Sequence, residues 1–316
     1  MNNEYQNFSG FDKQFFSDQG HSDIKLPQLS KKFKDEVDYD ESGSIVVLPY
    51  INYSLVLSNI RKLPIFVAAN IDGKQFLKAD RASSWKKDNR SLLSQWGQEL
   101  YTAIPGFLDR GHMAKREDVQ WGANKNAAQV ASDSTFFYSN AVPQHKDLNR
   151  KIWKRLENYI LHKETTTKNL RICVFTGPIL IESDLPFAQL IEKKEVLIPS
   201  FFWKVVFYQK ADGKLYRVGF LISQRQLLIR DKLVIEPELE LAEDDDLFMR
   251  FSDAETYQVN ISLIEQLSGL LFQEAIDSYT DDREVKLILN EVEIDADLEI
   301  FSSDNQENYE IENLIL

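Results

Sequence analysis

The chain has one cysteine, Cys173, so no intrachain disulfide can hold it together and a cross-linked secreted scaffold is excluded. It has no run of about eighteen apolar residues, which argues against a membrane-spanning helix. The opening stretch from Met1 to Gly10 has neither a basic start nor an apolar core, so no classical secretory signal is visible. These absences predict a soluble protein with no membrane partner. They place it in a reducing cytoplasm, or outside the cell by a route that reads no N-terminal signal. Internal repeats are lacking too, and histidine is scarce at four residues, so each imidazole has to be weighed individually.

What is present is ample material for a core: 316 residues, 43% of them hydrophobic and 12% aromatic. The net charge of −13 speaks against a polyanionic partner until it is divided along the chain. Residues 236–316 hold 24 acidic side chains against Arg250, Arg283 and Lys286, a net of −21, which leaves +8 for residues 1–235. Within the basic part, residues 145–171 carry eight Lys/Arg and three acids. Such a stretch is commonly just a solvated helix face, but its overlap with the motifs below favours polyanion binding.

The pattern divides the chain into an irregular arm at 1–44 that docks on the body, a main domain at 45–282, and an acidic extension at 283–316. Residues 45–48, 65–69 and 75–77 are strand-like, and the Asp72-Gly73 pair predicts a hairpin between the last two. Residues 109–112 fall near the end of a strand, 114–131 form a mixed loop with small helices, and 135–138 are a strand-like run leading to Asn140. Apolar residues at Ile152, Trp153, Leu156, Tyr159 and Ile160 give residues 149–162 a helical period. Further strands are expected at 170–175, 196–198, 202–207 and 216–222, then an acidic loop at 240–246 and a closing helix at 261–275. The extension carries strand-like stretches at 285–289 and 292–300.

The densest chemistry lies in Asp109-Arg110-Gly111-His112. Arg110 offers a planar fork of donors to phosphate oxygens or pairs with Asp109. Gly111 lets the backbone approach a ligand, and an imidazole such as His112 can deprotonate water near neutral pH. A second cluster follows about thirty residues on: Ser139-Asn140-Ala141-Val142-Pro143-Gln144, then Asp147-Leu148-Asn149 and Trp153-Lys154-Arg155-Leu156-Glu157. Read alone, His112 fits a satisfied core histidine, Asn149 a helix N-cap, and Glu157 an acid pairing with Lys154 or Arg155.

Together the two clusters resemble the DNA/RNA non-specific endonucleases of the ββα-metal class. The likeness continues through Phe66 to Gly73, Trp85-Lys86-Lys87-Asp88, Val174 to Pro178, Ile198 to Lys204, Gly219-Phe220-Leu221 and Tyr257 to Glu265, covering roughly residues 60–275 in family order. It implies an α+β fold with a central antiparallel sheet flanked by helices, in which strand, loop, strand and helix around His112 and Asn149 form the ββα unit. It implies Mg²⁺-dependent hydrolysis of DNA and RNA to 5′-phosphate ends with little base preference, with Mn²⁺ as a substitute ion. His112 would be the general base, Asn149 the direct protein ligand of the ion, and Glu157 the carboxylate orienting the waters around it. Eight residues of α-helix separate the last two by about 12 Å, too far to share the ion.

Asn140 carries over as a polar residue positioning phosphate or a neighbouring side chain. Arg110 steadies the transition state, and Arg81 is the second cation, with Arg90 as its substitute because the register before Trp85 departs from the family pattern. Family members often form homodimers, and no interface is legible here. An inactive nucleic-acid-binding or protein-interaction module on the same fold is the competing reading, against which intact His112, Asn140, Asn149 and Glu157 argue. The acidic extension suits a docking site for a regulatory protein or an autoinhibitory segment. An effector role in immunity or competition is compatible with these features.

Overall fold

In a computed structural model, the structure describes residues 8–20, 23–81, 84–166, 168–236, 251–252, 255–288, 311 and 313–316, leaving aside the side chains of 151, 152 and 162–164. The strands of the main sheet and of the site, in chain order, are β1 (Leu48–Pro49), β2 (Tyr53–Leu57), β3 (Pro64–Asp72), β4 (Leu108–His112), β5 (Ala141–His145), β6 (Arg171–Ile179), β7 (Phe201–Gln209), β8 (Leu215–Ser223), β9 (Thr256–Val259) and β10 (Val285–Lys286), and two-residue pairs join Gln28–Leu29 to Leu270–Leu271 and Leu185–Pro186 to Leu197–Ile198. The main sheet runs β10-β9-β8-β7-β6-β3-β2-β1, antiparallel at every step, and Ile276–Asp277 adds a short parallel pairing to β8. This is the antiparallel α+β architecture expected.

The central strands are apolar without alternation because both faces of the sheet are covered. All nine residues of β3 are buried, as are the first seven of β7. Successive side chains of β7 point to opposite faces, and their contacts show what lies on each. The Trp203 ring meets Phe272 edge-on at 5.2 Å on one face, whereas the Lys204 ammonium lies 3.5 Å from Glu157 on the other. The first face is closed by α2 (Ile261–Ser268) and by the N-terminal arm. Phe11 packs at 5.5 Å on Phe175 of β6 there, and Phe15, Phe16, Ile24 and Phe33 join the core. The second face carries the helix at residues 148–166 that will matter for the site.

Several local expectations change, each for a physical reason. The hairpin after β3 does not form: the Asp72 carboxylate accepts from the Lys74 and Gln75 amides and caps a 3₁₀ turn at Gly73–Gln75, giving the backbone an alternative to the ladder. At 45–48 the sheet is joined at Leu48–Pro49, while Ile45 makes an isolated antiparallel bridge to Tyr39. The strand expected at 135–138 lies later, at β5. The helix α1 (Lys125–Ser134) runs up to that stretch, and a 3₁₀ turn occupies Tyr138–Asn140. Its aromatic run is there to be buried, and β-propensity largely measures such burial. The closing helix stops at Ser268 because Gly269 takes the left-handed conformation at φ 68° and its amide returns to the Glu265 carbonyl. The expected strand at 292–300 and the acidic loop at 240–246 lie outside the described residues.

The last residues of the chain return to the sheet. Gln258 of β9, fully buried, donates to the Ile315 carbonyl at 2.6 Å and accepts from its amide at 2.9 Å. Leu314 and Leu316 cover Ile160, Val206 and Phe220 on the face that also carries the site helix. Deleting residues 283–316 therefore strips both partners from a buried amide and uncovers apolar surface, a loss on the order of 2 kcal/mol or more. The expected result is a fall in melting temperature of roughly 4–8 °C for a domain of this size. An unchanged thermal melt of the truncated chain would contradict that.

Candidate active site

The site is built on a second, two-stranded sheet. β4 and β5 pair antiparallel with Arg110 opposite Pro143 and His112 opposite Ala141, and the chain then enters the helix at 148–166. This is the ββα unit in the expected order. The alternation of a strand puts Arg110 and His112 on one face and Asp109 and Gly111 on the other. Gly111 has a role the sequence did not suggest: a Cβ there would come within 2.0 Å of the Gln144 side-chain oxygen, so the missing side chain makes room for Gln144, not for a ligand.

The helix is not a regular α-helix. It opens as a wide π turn at Leu148–Trp153, tightens to α over Lys154–Asn158, and widens again at Tyr159–Thr166. Its apolar stripe is where the period put it, with Trp153, Leu156, Tyr159 and Ile160 buried. The 1.5 Å rise used to separate Asn149 from Glu157 does not hold across π turns, which close i to i+5. Both residues line one cavity of about 430 Å³, together with Arg81, Trp85, Asp109, Arg110, His112, Lys115, Arg116, Glu117, Phe136, Arg150 and Lys154.

Each expected residue has a definite place, on the cavity wall or outside it. The Asn149 side-chain amide donates to Asp109 at 3.0 Å, and Asp109 is in turn gripped by the Arg150 guanidinium through two bonds of 2.8 and 2.7 Å. Asp109 is thus the partner of Arg150, not of Arg110. The half-exposed ion pair contributes little to stability, but it fixes the Asn149 amide so that its carbonyl oxygen is the atom left for another ligand. The Arg110 guanidinium donates to Gln98 and lies over the rings of Tyr101, Tyr138 and Trp85 at 5.5, 6.0 and 5.9 Å, with its Nε buried and unpartnered. His112 Nε2 is likewise buried without a hydrogen bond, although the residue keeps partial contact with the cavity. Burial, followed by the charges of Arg81, Arg116 and Lys115, lowers the His112 pKa from 6.5 to about 3, so the imidazole is neutral at any physiological pH.

Glu157 sits deeper, with one carboxylate oxygen 3.5 Å from Lys204 and making no hydrogen bond. Asn140 does not reach the cavity. Its fully buried amide accepts from the Ala114 amide and donates to the Ala114 and Thr135 carbonyls, bracing the turn that follows His112. Of the two arginines upstream, Arg81 is exposed on the cavity wall, whereas Arg90 is tied to Asp88 and the Pro49 carbonyl and takes no part. Of the basic residues at 145–171, Arg150 and Lys154 line the cavity, and Arg171 is committed to Asp18 and Asp72.

Sequence reasoning missed the Lys115-Arg116-Glu117-Asp118 run, which reads as a solvated loop and is buried. Lys115 bridges Glu117 at 2.7 Å and the Asn158 side chain. Burial works against its charge, yet Glu117, Glu157 and Asp118 outweigh burial and raise its pKa. Burial also raises Asp118 to about 7. The only cue in the sequence was adjacency to the DRGH tetrad.

With this geometry in hand, comparison with known proteins is direct. The sequence matches the DNA/RNA non-specific endonuclease family over residues 35–278. It is 31% identical over 243 residues to the uncharacterized protein y4fB of Sinorhizobium fredii, covering 73% of this chain and 34% of that one. It is 31% identical over 173 residues to the mitochondrial endonuclease G of Bos taurus, covering 53% and 48%, and 32% identical over 241 residues to the mitochondrial nuclease EXOG of Danio rerio, covering 72% and 60%. The chain thus spans between a third and three fifths of the length of these relatives. No helix among the described residues is long and apolar enough to cross a membrane. The chain belongs to the DNA/RNA non-specific endonuclease family.

Proposed function

We propose that the protein is a metal-dependent endonuclease that hydrolyses phosphodiester bonds of DNA and RNA without base preference. The observation that carries this reading is the pairing of Arg110 and His112 on one strand face. Both have buried, unpartnered nitrogens at a cavity walled by cations and flanked by Asn149 and Glu157.

The residues fit a hard divalent cation. The Asn149 nitrogen is held by Asp109, leaving its oxygen as the donor, and a Glu157 oxygen without a hydrogen bond lines the same cavity. Such a sparse oxygen set suits Mg²⁺, which keeps most of its water, and Mn²⁺ as a substitute. When bound, the ion supplies positive charge to the phosphate and to the departing 3′ oxygen. Asn149 would hold it directly and Glu157 would orient water around it. No cluster of three or more His, Cys, Asp or Glu side chains suited to a metal occurs among the described residues, so Asn149 and Glu157 carry this part of the reading.

The neutral His112 imidazole takes a proton from water as the water oxygen bonds to phosphorus. The bond to the 3′ oxygen breaks and that oxygen takes a proton from solvent water, leaving 5′-phosphate and 3′-hydroxyl ends. Arg110, fixed over three rings, offers its guanidinium to the phosphate oxygens as charge accumulates, and Arg81 is the second cation. An incoming phosphate also offsets Arg81, Arg116 and Lys115, the charges that weaken His112 as a base, so substrate binding makes the imidazole more basic when it is needed. Phosphate contacts carry no sequence information, hence the lack of base preference. Homodimerisation, a regulatory protein on the acidic extension and an effector role in immunity or competition remain part of this reading without a structural feature of their own.

Supercoiled plasmid and structured RNA, incubated with Mg²⁺, with Mn²⁺ and with EDTA, test it. Both should be cut with either ion and spared by the chelator, and the DNA ends should ligate without kinase treatment. Binding without cutting would favour the inactive module. A folded chain lacking residues 283–316 that cuts faster at low salt, with the gain lost as salt rises, would assign the extension a restraining role.

A further inference from the structure

Catalytic imidazoles are commonly oriented by a hydrogen bond to a carboxylate or a carbonyl. Neither ring nitrogen of His112 makes one among the described residues, and the ring is held by aromatic packing. The Trp85 indole lies 4.6 Å from it, tilted by 50°, and Phe136 meets it edge-on at 5.1 Å and 84°. These two rings touch each other at 5.2 Å. Their backbones are joined as well, since the Lys86 amide donates to the Phe136 carbonyl at 3.0 Å and the Tyr138 amide to the Lys86 carbonyl at 2.9 Å. Trp85 also lies under the Arg110 guanidinium and packs at 5.7 Å on Tyr138, the ring on which Arg110 also rests.

We propose that Trp85 is a positioning residue for the reaction: with Phe136 it forms a hinged pair of rings that fixes the tilt of His112, and through its other contacts it sets the reach of Arg110. The proposal rests on His112 being the base. A planar ring can only be held by packing if its neighbours are large and stiff, and the indole is the largest such side chain available. Because no hydrogen bond among the described residues backs it up, loss of the indole leaves the imidazole free to turn and lets water reach it. The charged groups facing His112 are Arg81, Lys115 and Arg116, with Arg110 across the indole and Asp109, Glu117, Arg150, Lys154 and Glu157 elsewhere on the cavity wall.

The test compares Trp85→Leu and Trp85→Phe with the parent, using plasmid DNA and Mg²⁺ for kinetics and ¹⁵N-histidine NMR of the metal-free protein for the His112 titration. Trp85→Leu is expected to lose about 10- to 100-fold in kcat, the cost of a misplaced catalytic group, with KM changed less than about twofold. Its His112 titration should move up by at least about one pH unit as water enters. Trp85→Phe, which keeps a ring, should recover most of the rate. A rise in KM with kcat intact would make the indole a substrate contact and overturn the proposal, as would an unmoved titration. If Trp85→Leu does not fold, Phe136→Leu opens the other face of the same imidazole and must give the same two changes. A titration that moves while the rate stays constant would support the clamp and overturn His112 as the base, so the two readings fail separately.

Discussion

Replacing His112 with alanine should reduce plasmid cleavage by about 10²–10⁴-fold, the usual cost of losing a positioned base. The fold and nucleic-acid binding should stay close to intact, because His112 Nε2 has no hydrogen-bond partner for its removal to orphan and the cations of the cavity remain. Cleavage within threefold of the parent would overturn the assignment. The pH dependence offers an independent check. In the substrate-free protein an imidazole neutral down to about pH 3 keeps the base in its active form well below 6.5, so kcat/KM of the parent should not halve near pH 6.5 on that account.

Stability should respond in the same window. The unfolded chain protonates His112 near 6.5 and the folded one only near 3, so acid in between favours unfolding. The contribution is full above 6.5 and is lost as pH falls toward 3, with a limiting slope of about 1.4 kcal/mol per pH unit. Asp118 acts oppositely: its folded pKa of about 7 lies above the usual 3.8, so its contribution is present in acid and lost as pH rises toward 7. Urea melts of parent and His112→Ala at pH 7 and 4.5 cancel Asp118 and isolate the imidazole. The variant should gain on the parent at the lower pH.

The sheet was legible because its strands are long apolar runs, and the site because its residues come in dense motifs. What could not be seen was decided by contacts distant in sequence. Nothing near Arg90 announces that Asp88 and the Pro49 carbonyl consume its guanidinium, and nothing near Asn140 says that its amide is spent on Ala114 and Thr135. Lys115 to Asp118 look solvated because charged residues are rarely buried unless they are paired, and although Lys115 and Arg116 pair with Glu117 inside the run, Asn158 of the helix and the Ala79 carbonyl add partners distant in sequence. Asp109 illustrates the same limit: adjacency to Arg110 suggested a pair, yet strand alternation turns the two side chains to opposite faces and delivers Asp109 to Arg150. The π turns have no signature in the apolar period, which fixes the face of a helix and not its pitch.

That last point bears on the strongest effect expected at the metal. Asn149→Ala removes the side-chain oxygen that the proposed site leaves for the ion once Asp109 holds the amide nitrogen, and it should raise the Mg²⁺ concentration for half-maximal cleavage by at least about tenfold while cutting the maximal rate. Glu157→Gln keeps the shape and removes the charge that faces Lys204, so it should impair the rate with a smaller change in Mg²⁺ requirement. Asn149→Asp discriminates further. A carboxylate there has no hydrogen to give Asp109 and would face it across about the distance of the present 3.0 Å bond, so repulsion should turn the side chain away despite the added negative charge. Rescue of metal binding by Asn149→Asp, or a Mg²⁺ titration governed by Glu157 with Asn149 silent, would reverse the two roles. The wide turns put Asn149 and Glu157 on the wall of one cavity, so the two variants probe the same site.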